Sequence, residues 1–300
     1  MENADALRKD NICDNNKSMS LAIISYTPES PLRNPRRLLR EMFRDLLASR
    51  ELAWRLFVRD RDAQFRQSML GYVWAFVPPL VASLPFVFLN SQGVVAIQGT
   101  SIPYPAFAMI GTIIWQVFVD ALTSPLKTVT ASKAMLVRIN FPREAILLSG
   151  LGMVFFNFLI RLVLLAGVFI WFKITPPPAA LLFPFGILSL VLVGFMIGVL
   201  LTPLGLLYTD IQQMIPILTM FLMFLTPVLY PQPKGGIAGA IAYWNPLTPL
   251  VMTTRDWLTL GTTSHLFGFL LVSLSALLLL FVGWIIYRLA LPHIIARIGN

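Results

Sequence analysis

The sequence predicts an all-α membrane protein: six membrane-crossing helices preceded by an amphipathic interfacial helix, with short re-entrant helices between the fifth and sixth crossings. Three observations carry that prediction. Of the 37 Asp, Glu, Lys and Arg residues, 23 precede residue 73 and 14 follow it. The hydrophobic content is 57%, far above that of an ordinary soluble domain. Apolar stretches recur along the second part at about the 20 residues that one helix needs to cross ~30 Å of hydrocarbon.

Each element follows in order. Residues 1–40 are polar, with Pro28, Pro31 and Pro35 interrupting any regular pattern, and read as a mobile cytoplasmic leader that ends in a basic turn at Arg33, Arg36 and Arg37. Residues 41–72 read as the amphipathic segment: Phe43, Leu46, Leu47, Trp54 and Phe57 recur at helical spacing, while Arg44, Asp45, Arg50, Glu51, Arg55 and Arg59 take the other faces. Such a helix lies in the membrane interface with its arginines toward phosphates. Residues 73–300 form the six-span body. The expected spans are 73–95, 104–124, 145–172, 179–207, 213–230 and 266–291. The intervening stretch before the last span, rich in Gly, Pro, Trp and Tyr, is too interrupted for two crossings.

Charge in the short loops sets the orientation. Lys127, Lys133, Arg138 and Arg143 fall between the second and third spans, and Arg288 and Arg297 near the carboxyl end, against Lys173, Lys234 and Arg255 in the opposite loops. Both termini are therefore expected in the cytoplasm. Residues 1–20 include Asp5, Arg8, Lys9, Asp10, Asp14 and Lys17 and no apolar run, so no signal peptide is expected there. Cys13 is the lone cysteine, which rules out an intramolecular disulfide and a thiolate metal site. The net charge of +9 is not arranged as a basic stripe with interleaved aromatics, so lipid headgroups, not nucleic acid, are the expected partner.

Enzyme motifs are missing from the sequence: no phosphate loop, no H-E-x-x-H and no G-x-S-x-G. His265 and His293 lie at opposite ends of the sixth span. The four acids after residue 73, Asp120, Glu144, Asp210 and Asp256, are expected at span ends or in loops, so neither a carboxylate pair nor proton coupling through span centres is visible. Energy for transport must then come from a partner or an ion. Arg161 is the one cation deep in a span, with Asn157 one turn earlier on the same face. Two roles are open for it: lining for a polar or anionic passenger, or a structural pair with a neighbouring span. Gly194 and Gly198 form a GxxxG read as close helix packing. Tyr104, Trp171, Tyr230, Tyr243, Trp244 and Trp257 gather at outer boundaries, as an interfacial belt or a surface for sugar rings.

The run Phe65-Arg66-Gln67-Ser68-Met69-Leu70-Gly71-Tyr72-Val73-Trp74, followed by Pro79-Leu80, resembles the entry to the first span in permeases of type-2 ABC exporters, above all the branch exporting lipid-linked polysaccharides. Three further segments resemble that family in the expected order: Phe141-Pro142-Arg143-Glu144 after its coupling helix, Thr226 to Pro231 at the end of its fifth span, and Asn245-Pro246-Leu247-Thr248-Pro249 in its outer re-entrant turn. The chain departs from the family at Gln64, where a basic residue is frequent, and at Thr209-Asp210, where Arg-Asp is common.

The resemblance implies a permease subunit of an ATP-driven exporter for O-antigen, teichoic acid or a related capsular polymer in the bacterial cytoplasmic membrane. It implies no catalytic residue, metal or cofactor on this chain. ATP and Mg would sit on two copies of an ATP-binding cassette subunit beneath two copies of this chain. Lys133, Arg138, Phe141, Pro142, Arg143 and Glu144 would form the coupling surface. Arg66 would contact the phosphates of the lipid head, although an arginine snorkelling at the interface fits it equally; Asn157 and Arg161 would line the path, and Tyr230, Tyr243 and Trp244 would guide the sugar chain. The alternatives are a type-2 permease for a small-molecule drug and a membrane-embedded transferase for lipid-linked sugars. The scattered carboxylates disfavour the transferase.

Overall fold

The computed structural model describes residues 35–66, 71–94, 97, 99–138, 141–233, 235–263 and 265–298. Most of the expected leader, including Cys13 and Arg33, lies outside them, as do Gln67 to Leu70 of the entry motif. The chain divides into two compact units, Met1–Arg44 and Asp45–Asn300. Among the described residues there are ten α-helices and no strand.

Helix α1, Pro35–Arg66, starts six residues earlier than the periodicity predicts. Pro35 opens the helix instead of breaking it, because the first helical position needs no amide hydrogen and suits proline's fixed φ. Within the second unit, Ser49, Ala53 and Leu56 are the buried positions of α1, spaced four and three apart, while Leu47 and Trp54 remain exposed. Of the apolar side chains that define the stripe in the sequence, Leu47 and Trp54 thus point away from the protein, as expected of a face that meets lipid, whereas Phe57 is half-buried with its ring centroid 6.0 Å from that of Phe156.

A 3-10 turn, Gly71–Ala75, leads into α2, Val77–Ser91, with Pro78 and Pro79 in its first turn. Helix α3 is Tyr104–Ala131, α4 Lys133–Arg138 and α5 Glu144–Trp171. A second 3-10 turn, Pro178–Leu182, precedes α6, Phe183–Leu207; α7 follows as Thr209–Leu225. Two short helices, α8 (Gly236–Trp244) and α9 (Leu247–Thr259), come before the long α10, Leu266–Ile298. Among the described residues four helices are long and apolar enough to cross a membrane: α3, α5, α6 with its 3-10 entry, and α10. Helices α2 and α7 are apolar but have 15 and 17 residues, about 22 and 25 Å at 1.5 Å per residue.

Helix α3 is the buried centre, from Tyr104 through Val129. Gly194 and Gly198 of α6 make its closest approach possible. A Cβ on Gly194 would lie 2.6 Å from the Phe118 carbonyl oxygen, and one on Gly198 would lie 2.4 Å from that of Leu122. The packing reading of this GxxxG therefore holds. By contrast α5 and α10 expose large apolar side chains along much of their length, among them Leu159, Val163, Leu270, Leu274 and Leu278. Apolar area left outside on this scale belongs to a protein surrounded by lipid.

Candidate functional site

Three polar clusters lie among the apolar helices. The first gathers around Arg288 on α10. Its Nη2 donates to Asp45 Oδ2 at 2.6 Å and its Nη1 to Glu144 Oε1 at 2.8 Å. One guanidinium therefore ties α1, the first residue of α5 and α10 together, above a small core of Ala53, Leu56, Ala145, Ile146, Tyr287 and Leu291. Lys133 and Arg138, at the two ends of α4, are exposed. Phe141, Pro142 and Arg143 are half-buried, and Glu144 is buried. Of the expected coupling residues, α4 presents the cations outward, whereas Glu144 turns inward to Arg288.

The second cluster joins α3 and α5. Arg161, 4% exposed, donates from Nη1 to Asp120 Oδ2 at 2.6 Å and from Nε to the Ala75 carbonyl at 3.1 Å. Asp120 is not at a span end as the sequence suggests. Helix α3 continues through Pro125 to Ala131, which leaves Asp120 well inside it. Pro125 removes the amide that would donate to the Ala121 carbonyl, yet the helix continues through it to Ala131. Asn157 and Asp120 line a cavity of about 390 Å³ between α1, α3 and α5, together with Asp60, Gln64, Ser124 and Lys127.

The third cluster closes the opposite end of α3. Arg255, 3% exposed, donates from Nη1 to the carbonyls of Pro227 and Val228 at 3.1 and 3.3 Å. Its guanidinium carbon stands 3.9 Å from the ring centroid of Phe107. Asn245 Nδ2 donates to Thr226 Oγ1 at 2.8 Å, and Asn245 Oδ1 accepts from the Leu247 amide at 3.0 Å. The break after α7 is thus pinned from α9 and from the turn before it. Gly111 completes the fit, since a Cβ there would lie 2.2 Å from the Val228 carbonyl oxygen. The Tyr230 hydroxyl donates back to the Phe224 carbonyl at 2.7 Å. Tyr243 and Trp244 stand exposed on α8 with their rings edge to face, centroids 5.9 Å apart.

A long buried α3, a paired charge inside it and a pinned break after α7 belong to a body of long apolar helices. Residues 51–259 match the family model described as ABC-2 type transporter. The chain belongs to this family. An ABC-2 permease is a transport subunit embedded in a membrane. The curated relatives include an O-antigen export system permease protein RfbA of Klebsiella pneumoniae, 25% identical over 214 residues, covering 69% of this chain and 80% of the relative. The protein of that name from Myxococcus xanthus is 26% identical over 218 residues, covering 72% and 80%. The polysialic acid transport protein KpsM of Escherichia coli is 24% identical over 241 residues, covering 78% and 91%.

On this ABC-2 permease, Arg66 ends α1 with an exposed side chain. The sequence pointed to Arg161 and Asn157, and the structure sets both beside Asp120. The sequence does not single out Asp45, Arg288 or Arg255 as anchors, and of these Arg255 is buried while the other two are partly exposed. A signal for the second cluster was nonetheless present: the charged residue of the second expected span is an acid, Asp120, and that of the third is a cation, Arg161, which makes a complementary pair in consecutive spans.

Proposed function

We propose that this chain is the permease subunit of an ATP-driven exporter that moves a lipid-linked polysaccharide, O-antigen or a related polymer, across the bacterial cytoplasmic membrane. The observation that carries the reading is the alignment with polysaccharide-export permeases over most of their length, on a chain whose match to the ABC-2 model runs from α1 to the end of α9. The fold is compatible with six crossings. Helices α2 and α7 complete two of them with their flanking turns, and α8 and α9 enter and leave from one side. The exposed basic loop around α4 supports an orientation with both termini in the cytoplasm.

In this reading two copies of the chain form the pore, and two copies of an ATP-binding subunit carry ATP and Mg beneath it. Lys133 and Arg138 face that subunit. Phe141, Pro142 and Arg143 seat the coupling segment, and Glu144 fastens it to Arg288. Arg66, exposed at the membrane interface, receives the phosphates of the lipid head, since a guanidinium pairs bidentately with phosphate oxygens. Tyr243 and Trp244 offer ring faces to the sugar chain, and Tyr230 holds the nearby turn. For Arg161 the contacts to Asp120 and Ala75 favour the structural pair over a bare lining cation.

The test is co-purification of the tagged chain with the ATP-binding subunit encoded beside it, followed by ATP hydrolysis with and without lipid-linked glycan. A stable complex whose hydrolysis responds to that lipid is the expected result. A chain that purifies alone, with no associated ATPase, would overturn the reading.

A further inference from the structure

Helices α1 and α5 leave an open groove of about 1140 Å³ between them, and its two walls differ in character. Helix α5 contributes only leucines, phenylalanines and Gly152, whereas α1 brings Arg50, Glu51 and Arg61 together with Trp54 and Phe57. The floor is aromatic and tight. Gly152 admits the Phe57 ring, since a Cβ there would lie 3.0 Å from the ring edge. The Phe57 centroid stands 5.4 Å from that of Trp54 and 6.0 Å from that of Phe156. Charge on one wall and hydrocarbon on the other is the profile of a site for an amphiphile.

Depth in the membrane follows the same division. Ala53 and Leu56 pack with Ala145 and Ile146 at the start of α5, while Phe57 reaches Gly152 and Phe156, about two to three turns further along that helix. Arg50, just before Ala53, therefore lies near the end of α5 that leaves the basic loop, the level of lipid headgroups at that face. From there the apolar wall continues inward to Leu159 and, one turn on, Val163, both exposed.

The charges on the α1 wall do not cancel. Glu51 is paired with Arg55 at 2.5 Å, and Arg61 donates from Nε and Nη2 to Asp62 at 3.0 and 2.8 Å. Arg50 is exposed and has no ion-pair partner among the described residues. One positive charge is left over, which matches the single negative charge of a phosphodiester, and a guanidinium can take two phosphate oxygens at once. An ammonium on the headgroup would find Glu51, the one acid of the lining, already engaged. A headgroup with no charge beyond its phosphate fits better.

We propose that this groove binds one anionic phospholipid of the phosphatidylglycerol type, with its phosphate on Arg50 and an acyl chain laid over Phe57 and Phe156 toward Leu159. Helix α1 is then fastened twice, by Asp45 to Arg288 and by Arg50 to the lipid. The lipid is a resident of the bilayer held apart from Arg66, where the cargo's lipid head is placed.

The full-length chain, with any subunit that co-purifies, is washed free of lipid in detergent and titrated with phosphatidylglycerol or phosphatidylethanolamine under native mass spectrometry. Phosphatidylglycerol should bind at one molecule per chain, and more tightly than phosphatidylethanolamine. Arg50→Gln should weaken phosphatidylglycerol binding about tenfold and erase most of the preference. A basic residue anywhere near an anionic surface is worth about fivefold, so Arg59→Gln, exposed on the same helix outside the groove, should cost no more than that. Ala48→Phe fills the groove from an exposed position without changing charge and should displace the lipid, with thermal unfolding reporting that each variant is folded. Equal binding of the two lipids, no bound lipid, an Arg50→Gln effect no larger than that of Arg59→Gln, or undiminished binding in folded Ala48→Phe would overturn the proposal. The measurement involves neither glycan nor ATP, so its failure leaves the export reading in place.

Discussion

Arg161 and Arg255 are buried alike, at 4% and 3% exposure, yet they are neutralised in different ways. Arg161 has a carboxylate, Asp120, and one backbone carbonyl. Arg255 has no carboxylate within ion-pair distance among the described residues; two carbonyls at a helix break and the face of Phe107 surround it instead. The first arrangement joins two long helices through opposite charges. The second uses a single charge to hold a strand of backbone that no helix can satisfy, since the break at Thr226-Pro227-Val228 leaves carbonyls without amide partners. The difference teaches that buried charge in this fold has two uses, one in helix pairing and one in stabilising irregular backbone, the kind that membranes tolerate only where protein covers it.

The sharpest way to break this comparison is to remove one partner of the ion pair. Asp120→Ala leaves a buried guanidinium uncompensated and should lower stability by about 3–5 kcal/mol, read as loss of folded protein and a lower thermal midpoint in detergent. The double variant Asp120→Leu, Arg161→Met should recover most of that loss, because replacing a buried pair by apolar groups of similar size is often close to neutral. Recovery of both folding and export confines the pair to structure. Recovery of folding without export returns Arg161 to the path of the cargo.

At Arg255 the expected effect is smaller. Arg255→Met removes the charge together with its desolvation and leaves two carbonyls with weaker partners, a loss of about 1–3 kcal/mol. Arg255→Lys keeps the charge but gives up the planar stack on Phe107, and should fall between wild type and Met. If Lys proves worse than Met, a compact ammonium is harder to bury here than no charge at all, and the clamp works through shape. Gly111→Ala probes the same place from α3. A Cβ 2.2 Å from the Val228 carbonyl forces the break to move, so its cost should approach that of Arg255→Met and should not add fully to it.

How far the sequence could be read follows from the same residues. Apolar length and charge distribution gave the long helices α3, α5, α6 and α10 to within a few residues at most ends, because hydrocarbon imposes both rules directly. The reading failed where a local signal competed with tertiary context. Pro125 and Lys127 mark a span end on propensity, yet α3 runs on to Ala131 because α6 packs against it there, with Gly198 against Leu122 and Pro125. That error moved Asp120 from the interior to an edge and hid the partner of Arg161. The amphipathic stripe of α1 was legible, but which of its faces meets protein was not. The buried Ser49, Ala53 and Leu56 are small or ordinary, and only the surface of α5 and α10 selects them. Arg255 reads as a loop cation because nothing local announces that the chain folds back over it.

The smallest effect is expected at the third arginine, Arg288, and it separates structural from functional use most cleanly. Arg288 and Asp45 are partly exposed, and the guanidinium has two carboxylates, so Glu144→Gln leaves the Asp45 contact and an amide oxygen able to accept from Nη1. The loss of stability should stay within about 1 kcal/mol, and added salt should shrink it further. Motion is where a larger effect is expected. Glu144 is the first residue of α5, directly after the segment proposed to receive force from the ATP-binding subunit, and its bond to Arg288 ties that helix start to α10. Loosening it should reduce export per ATP hydrolysed in the assembled complex while the thermal midpoint barely changes. An unchanged export ratio would show that Arg288 holds the helices together at rest and takes no part in passing the stroke from α4 to the membrane body.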